Sequence, residues 1–162
     1  MTTRSAEARL NTYSPAVLSL FRAVFGFLFA IHGTIILFAW PIGTGPTETG
    51  PALPVGSWPG WWAGLIELIT GLLVMVGLFT RLAAFVASGQ MAVAYFWQHQ
   101  PHALWPQQNY GELAVLYCFA FFLLVFTGGG VYAMDTRRRR PLRLTGARLG
   151  GWRRPRSGFA RR

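Results

Sequence analysis

Two ionisable side chains lie well inside long apolar runs in this chain: His32 within residues 17–40, a run that also holds Arg22 near its start, and Glu67 within residues 61–79. At a helical rise of ~1.5 Å per residue, Glu67 lies about 9 Å inside its run and His32 about 12 Å inside its own. Histidine titrates near neutrality and a buried carboxyl can be held neutral, so the pair has the chemistry to exchange protons with a ligand such as a quinone. The other reading is a polar contact that fixes the register of two helices. Ionisable groups within a bilayer are costly and commonly functional, and both readings stay open. Glu112, at the head of another apolar run, completes a candidate polar pocket of Glu67, His32 and Glu112. Capping of a helix N-terminus is its simpler role.

Other candidates carry less. His99 and His102 flank Pro101, which disrupts the helix needed to aim both rings at a metal, so no metal site is expected. The single cysteine, Cys118, has no partner for a disulfide or a thiol redox pair. Arg22 and Asp135 sit at one end of their runs and form a candidate structural ion pair, with snorkelling of Arg22 as the alternative. Gln90 is suited to a hydrogen bond with a neighbouring helix. No catalytic constellation emerges, so the chain is not expected to catalyse a reaction alone.

These residues need elements to position them, and the apolar runs supply four: 17–40, 61–79, 82–98 and 113–131. Each is long enough for the ~30 Å of a hydrocarbon core, and continuous apolar runs specify helices rather than alternating strands. The expected fold is an all-α, antiparallel bundle of four transmembrane helices. Small residues mark its packing faces, with Gly26 and Gly33 on the first run and Gly64 and Gly71 around Glu67 on the second.

All fifteen basic residues are arginine, and eleven follow Asp135. Arg4 and Arg9 precede the first run and Arg81 separates the second from the third, while the other two connections carry none. The positive-inside rule therefore puts both termini in the cytoplasm. Trp40, Trp58, Trp61, Trp62, Trp97 and Trp105 then gather at the opposite interface. The first run reads as a retained anchor without a cleavage site. The expected division is a short cytoplasmic segment (1–16), the membrane domain (17–135) and a disordered Arg-rich tail (136–162). Arg137, Arg138, Arg139 and Arg140 open that tail and suit docking to anionic lipid or to an acidic soluble protein. It has no folded reader, so nucleic acid is not an expected partner.

The pattern resembles the DoxX family of small four-helix membrane proteins over about residues 20–135. The resemblance rests on Arg22, Gly26, Phe29, His32 and Gly33; on Glu67, Gly71 and Gly77 with Arg81 shortly after; and on Glu112, Tyr117 and the closing stretch from Thr127 to Asp135. Ile36 stands where the family often has a basic or amide residue, and Gly128, Gly129 and Gly130 replace a usual Gly-Pro-Gly. The resemblance implies a bacterial cell-membrane subunit that anchors or assembles a redox, oxidative-stress or sulfur-metabolism complex. Relatives include subunits of thiosulfate:quinone oxidoreductase, so a quinone is the implied ligand, and soluble redox or sulfurtransferase proteins are the implied partners. Two alternatives are a quinone-binding oxidoreductase subunit and a small-solute transporter, the latter needing a homo-oligomer.

Overall fold

The computed structural model describes residues 3–45 and 47–138. Of the arginine-rich tail, residues 139–162, including Arg139 and Arg140, lie outside the described residues. Every named element is helical: α1 (Thr3–Phe38), α2 (Gly60–Val76), α3 (Thr80–Ala94) with a π-helical turn (Tyr95–His99), α4 (Glu112–Thr127) and the short α5 (Met134–Arg138). Within α1, the stretch Ala6–Phe38 is long and apolar enough to cross a membrane, containing an 18-residue window with a mean hydropathy of 1.9. Gly60–Val76 and Glu112–Thr127 are apolar but shorter.

Three boundaries differ from the sequence expectation. The expected N-terminal segment 1–16 is not separate, because α1 begins at Thr3 and runs through Pro15. A single proline removes one donor, and the helix continues around it. The hairpin between the second and third runs turns at Gly77, Leu78 and Phe79, with Thr80 and Arg81 already in α3. The last long helix ends at Thr127 although the apolar run continues to Val131, because Gly128 and Gly130 adopt φ of 78° and 77°. Those left-handed conformations favour glycine and end a helix. The described residues of 39–59, a stretch rich in proline and glycine, form no helix and carry an isolated bridge between Thr44 and Gly50.

Packing is most extensive between α1 and α2 and next between α3 and α4. The α1–α2 seam is made by glycines. A Cβ added at Gly26 would lie 2.5 Å from Met75 N, and one at Gly71 would lie 2.5 Å from Ala30 N. Gly33 and Gly64 repeat the close approach farther along. The α3–α4 seam uses alanines instead: Ala83, Ala84 and Ala87 are buried with Ala114 and Ala120, and Ser88 Oγ donates to Cys118 O at 2.9 Å. Larger aromatics, Phe29 of α1 with Tyr117 and Phe121 of α4, fill the space between the two pairs.

The end of the molecule that carries Arg81 is tied together by two charged residues. Gly77 and Leu78 close α2 with a Schellman arrangement, Leu78 N–H donating to Leu73 O at 3.0 Å and Gly77 N–H to Val74 O at 3.1 Å. Arg22, only 4% exposed, donates through Nη1 to Val74 O and Met75 O and through Nε to Gly129 O at 2.9 Å. Asp135 works on the other side of the turn. Its carboxylate accepts from Phe79 N–H (2.9 Å), Thr80 N–H (2.8 Å) and the Thr80 hydroxyl (2.9 Å), capping the start of α3. Phe79 sits at φ 49°, a strained value for a bulky residue, and this grip holds it there.

Two outcomes follow for stability. Gly71→Ala forces a methyl against backbone atoms of α1, so it should cost about 1–3 kcal/mol, the usual range for overpacking. Thermal denaturation in lipid nanodiscs measures it, and an unchanged midpoint would contradict the seam. Arg22→Gln strips donors from three carbonyls and should cost about 3 kcal/mol. Faster amide exchange at residues 129–133 should accompany that loss, whereas uniform exchange would place the damage elsewhere.

Candidate functional site

The buried face of α2 reads Gly64, Glu67, Thr70, Gly71 and Val74, a helical stripe that turns the one acid of this helix inward. Glu67 is 2% exposed. A carboxylate so placed must be paired and hydrogen-bonded, since its desolvation is otherwise prohibitive. Both oxygens are engaged: Oε2 lies 2.6 Å from His32 Nδ1 of α1, and Oε1 accepts from Gln90 Nε2 of α3 at 3.0 Å. One side chain therefore links three helices.

The orientation of its partners follows from the carboxylate being an acceptor. Gln90 must present its NH₂ group to Glu67, which leaves Gln90 Oε1 buried without a hydrogen-bond partner. His32 turns Nδ1 to Glu67, so its remaining polar atom is Nε2. The His32 side chain is 55% exposed and lines a cleft of about 740 Å³.

The cleft lies at the junction between the two helix pairs. Phe29, Ile66, Met91 and Tyr117 surround its polar end with Glu67 and Gln90, while Phe85, Val86 and Val93 of α3 and Trp62 of α2 form outer walls. Tyr117 is within electrostatic reach of Glu67. At one rim α3 widens into the π-helical turn, where Gln100 N–H reaches Tyr95 O at 2.9 Å. Such a turn shifts the phase of the residues that follow, and Trp97, Gln98 and His99 line the cleft. His99 Nδ1–H donates to Asn109 O at 3.0 Å. Asn109 in turn bonds Ala103 O and Gly111 N–H and organises the loop before α4.

Glu67 and His32 are thus brought together, and Glu112 is not with them. It is exposed in the first turn of α4 and does not line the cleft, because the helix turns that position outward. Gln90 holds the third polar place. Arg22 and Asp135 share the opposite end, but the guanidinium spends its hydrogen bonds on carbonyls and Asp135 acts on it through space. A second cavity of about 750 Å³ lies there, lined by Thr80, Arg81, Asp135 and the glycine turn. Thr80, Thr127 and Thr136 already donate to protein acceptors. Arg137 is exposed, and the side chain of Arg138 is not among those described. Among the described residues no three His, Cys, Asp or Glu side chains converge as metal ligands.

Gln90 and Tyr117 were visible as polar groups in apolar runs, which is the signal that marks them. The π-helical turn has no comparable signal. The assembled site can hold a polar group at one end of an apolar cleft and move a proton at the His32–Glu67 contact.

The DoxX family model matches residues 17–100, and the model for the TQO small subunit DoxD matches residues 62–144. A relative described as an uncharacterized protein of Haemophilus influenzae is 39% identical over 131 residues, covering 79% of this chain and 95% of that protein. No solved structure matches. With one family model spanning half the chain and a relative aligned along most of both lengths, this chain belongs to the DoxX family of membrane proteins.

Proposed function

We propose that this protein is the membrane subunit of a quinone-linked redox complex, and that its cleft holds a quinone head group against His32, Glu67 and Gln90. The observation that carries this reading is a fully hydrogen-bonded, 2% exposed carboxylate at the polar end of an apolar cleft of about 740 Å³. Chemistry of this kind fits a small ring with polar atoms on an apolar body. The match to the TQO small subunit DoxD model supports the same class of partner. A quinone takes up protons on reduction and its quinol releases them on oxidation; His32, with Glu67 behind it, is placed to exchange one. Electrons must come from or go to a redox partner in the complex.

The arrangement in the bilayer belongs to this proposal: a four-helix bundle that crosses the cell membrane four times with both termini in the cytoplasm. Its outer surfaces are apolar, as Phe85 (63% exposed), Leu116 (61%) and Phe119 (67%) illustrate, and such patches call for lipid. At 17 and 16 residues, α2 and α4 are about 25 Å long and lie at the short end for a span. A second role in anchoring partners is favoured by the eleven arginines after Asp135. They would hold soluble redox or sulfurtransferase proteins, or anionic lipid, at the cytoplasmic face.

Titration of purified protein in nanodiscs with a short-tailed benzoquinone tests the cleft, with quenching of the fluorescence of Trp62 and Trp97 as the readout. Glu67→Gln and His32→Phe should each weaken binding at least about tenfold, the scale of a lost charged hydrogen bond. Unchanged affinity in both variants would sink the assignment. Glu67→Leu should in addition cost about 1–3 kcal/mol, because His32 and Gln90 lose their acceptor. A wild-type melting midpoint would show that the cluster does not hold the helices together. For the anchoring role, deleting residues 137–162 should release partner proteins from purified membranes while leaving quinone affinity unchanged.

A further inference from the structure

Gly89 of α3 differs from the glycines of the α1–α2 seam. A Cβ built at Gly26, Gly33 or Gly71 would strike backbone at 2.5–2.6 Å, whereas one at Gly89 meets nothing within 4 Å. Glycine weakens a helix interior, and at a packed seam close approach compensates. At Gly89 no such approach exists. What the missing side chain leaves is space, and Gly89 lines the cleft.

Its neighbours on the same face continue that space. Val86 and Val93 lie one turn to either side, are 40% and 62% exposed, and line the cleft with Gly89. Ile66 and Trp62 face them from α2, which packs less extensively on α3 than on α1. The polar end with Gln90 is the next residue along α3. The cleft is therefore continuous from a polar cluster to an apolar groove open at the side of the molecule.

We propose that Gly89 is the sill of a lateral entrance between α2 and α3, over which the ligand passes from the bilayer and on which its hydrocarbon tail rests. The occupant is one class of molecule, a membrane-dissolved quinone with a linear tail, seated head inward and tail outward through the groove. This inference rests on the cleft holding a quinone head group. It adds the direction of entry and a residue that selects for a tail.

The test compares 2,3-dimethoxy-5-methylbenzoquinone with its 6-decyl derivative, titrated into wild-type protein and Gly89→Leu in the same nanodiscs. Comparing each ligand between proteins cancels its partition into lipid. The larger side chain points into open space, so the fold should survive, and melting temperature checks this. Gly89→Leu should weaken binding of the decyl compound at least about tenfold, the scale of a steric clash, and change that of the tail-free compound by less than about twofold. Val93→Trp, at an exposed position in the same groove, should repeat the pattern and stands in if Gly89→Leu does not fold. Equal effects on both ligands, or none on the decyl compound, overturn the lateral entrance while leaving the head-group site standing. Failure of both ligands to bind the wild type overturns the head-group site and this inference with it.

Discussion

The structure depends on closing one three-residue turn. Between α2 and α3 the chain reverses at Gly77, Leu78 and Phe79, leaving the last carbonyls of one helix and the first amides of the next to be satisfied. The Schellman turn at Gly77 and Leu78 serves Leu73 O and Val74 O, and side chains from elsewhere add to it. Arg22 arrives from α1 to serve the carbonyls, and Asp135 arrives from beyond α4 to serve the amides. In a bilayer an unsatisfied backbone group costs several kcal/mol, roughly, so a charged residue becomes tolerable when it removes two or three such debts at once. Arginine suits the carbonyl side because its planar guanidinium holds several donors at fixed angles.

That knot fastens one end of the molecule, and the cleft lies toward the other. The helices join pairwise, through glycines between α1 and α2 and alanines between α3 and α4, and each seam brings backbones close. Between the pairs stand Phe29, Tyr117 and Phe121, whose ring centroids lie 4.7–5.8 Å apart. Bulk at this junction keeps the pairs apart, and the space not filled by rings is the cleft. Glu67 is the polar link across it, reaching His32 within its own pair and Gln90 in the other.

Much of this was legible in the sequence, and the failures share a cause. The apolar runs predicted helices, the spacing of Gly26 and Gly33 against Gly64 and Gly71 predicted the close seam, and matched depth brought His32 to Glu67. Pairing by charge was less informative. Arg22 and Asp135 do gather at one end, but their hydrogen bonds go to backbone groups that exist only once two helices have ended, and no spacing rule encodes that. Glu112 was grouped by its charge, yet the phase of α4 turns it outward. Hydropathy placed the end of α4 at Val131, whereas glycine conformation at Gly128 ends it at Thr127. Gln90, expected to bond a neighbouring helix, does so, with Glu67 of α2 as its partner.

Saturation of Glu67 bears on how the proposed site handles protons. Both carboxylate oxygens are occupied, one by His32 and one by Gln90. On the proposed reading a ligand in the cleft meets His32 Nε2, whose orientation is set by the Nδ1 contact behind it. The imidazole is then the exchanging group of that proposal, and Glu67 holds its Nδ1. Gln90 completes the arrangement by holding the second oxygen. A contact that fastens helices and the proton exchange of the proposed reading have the same requirement, a carboxylate held at both oxygens, so the two roles are compatible in one cluster.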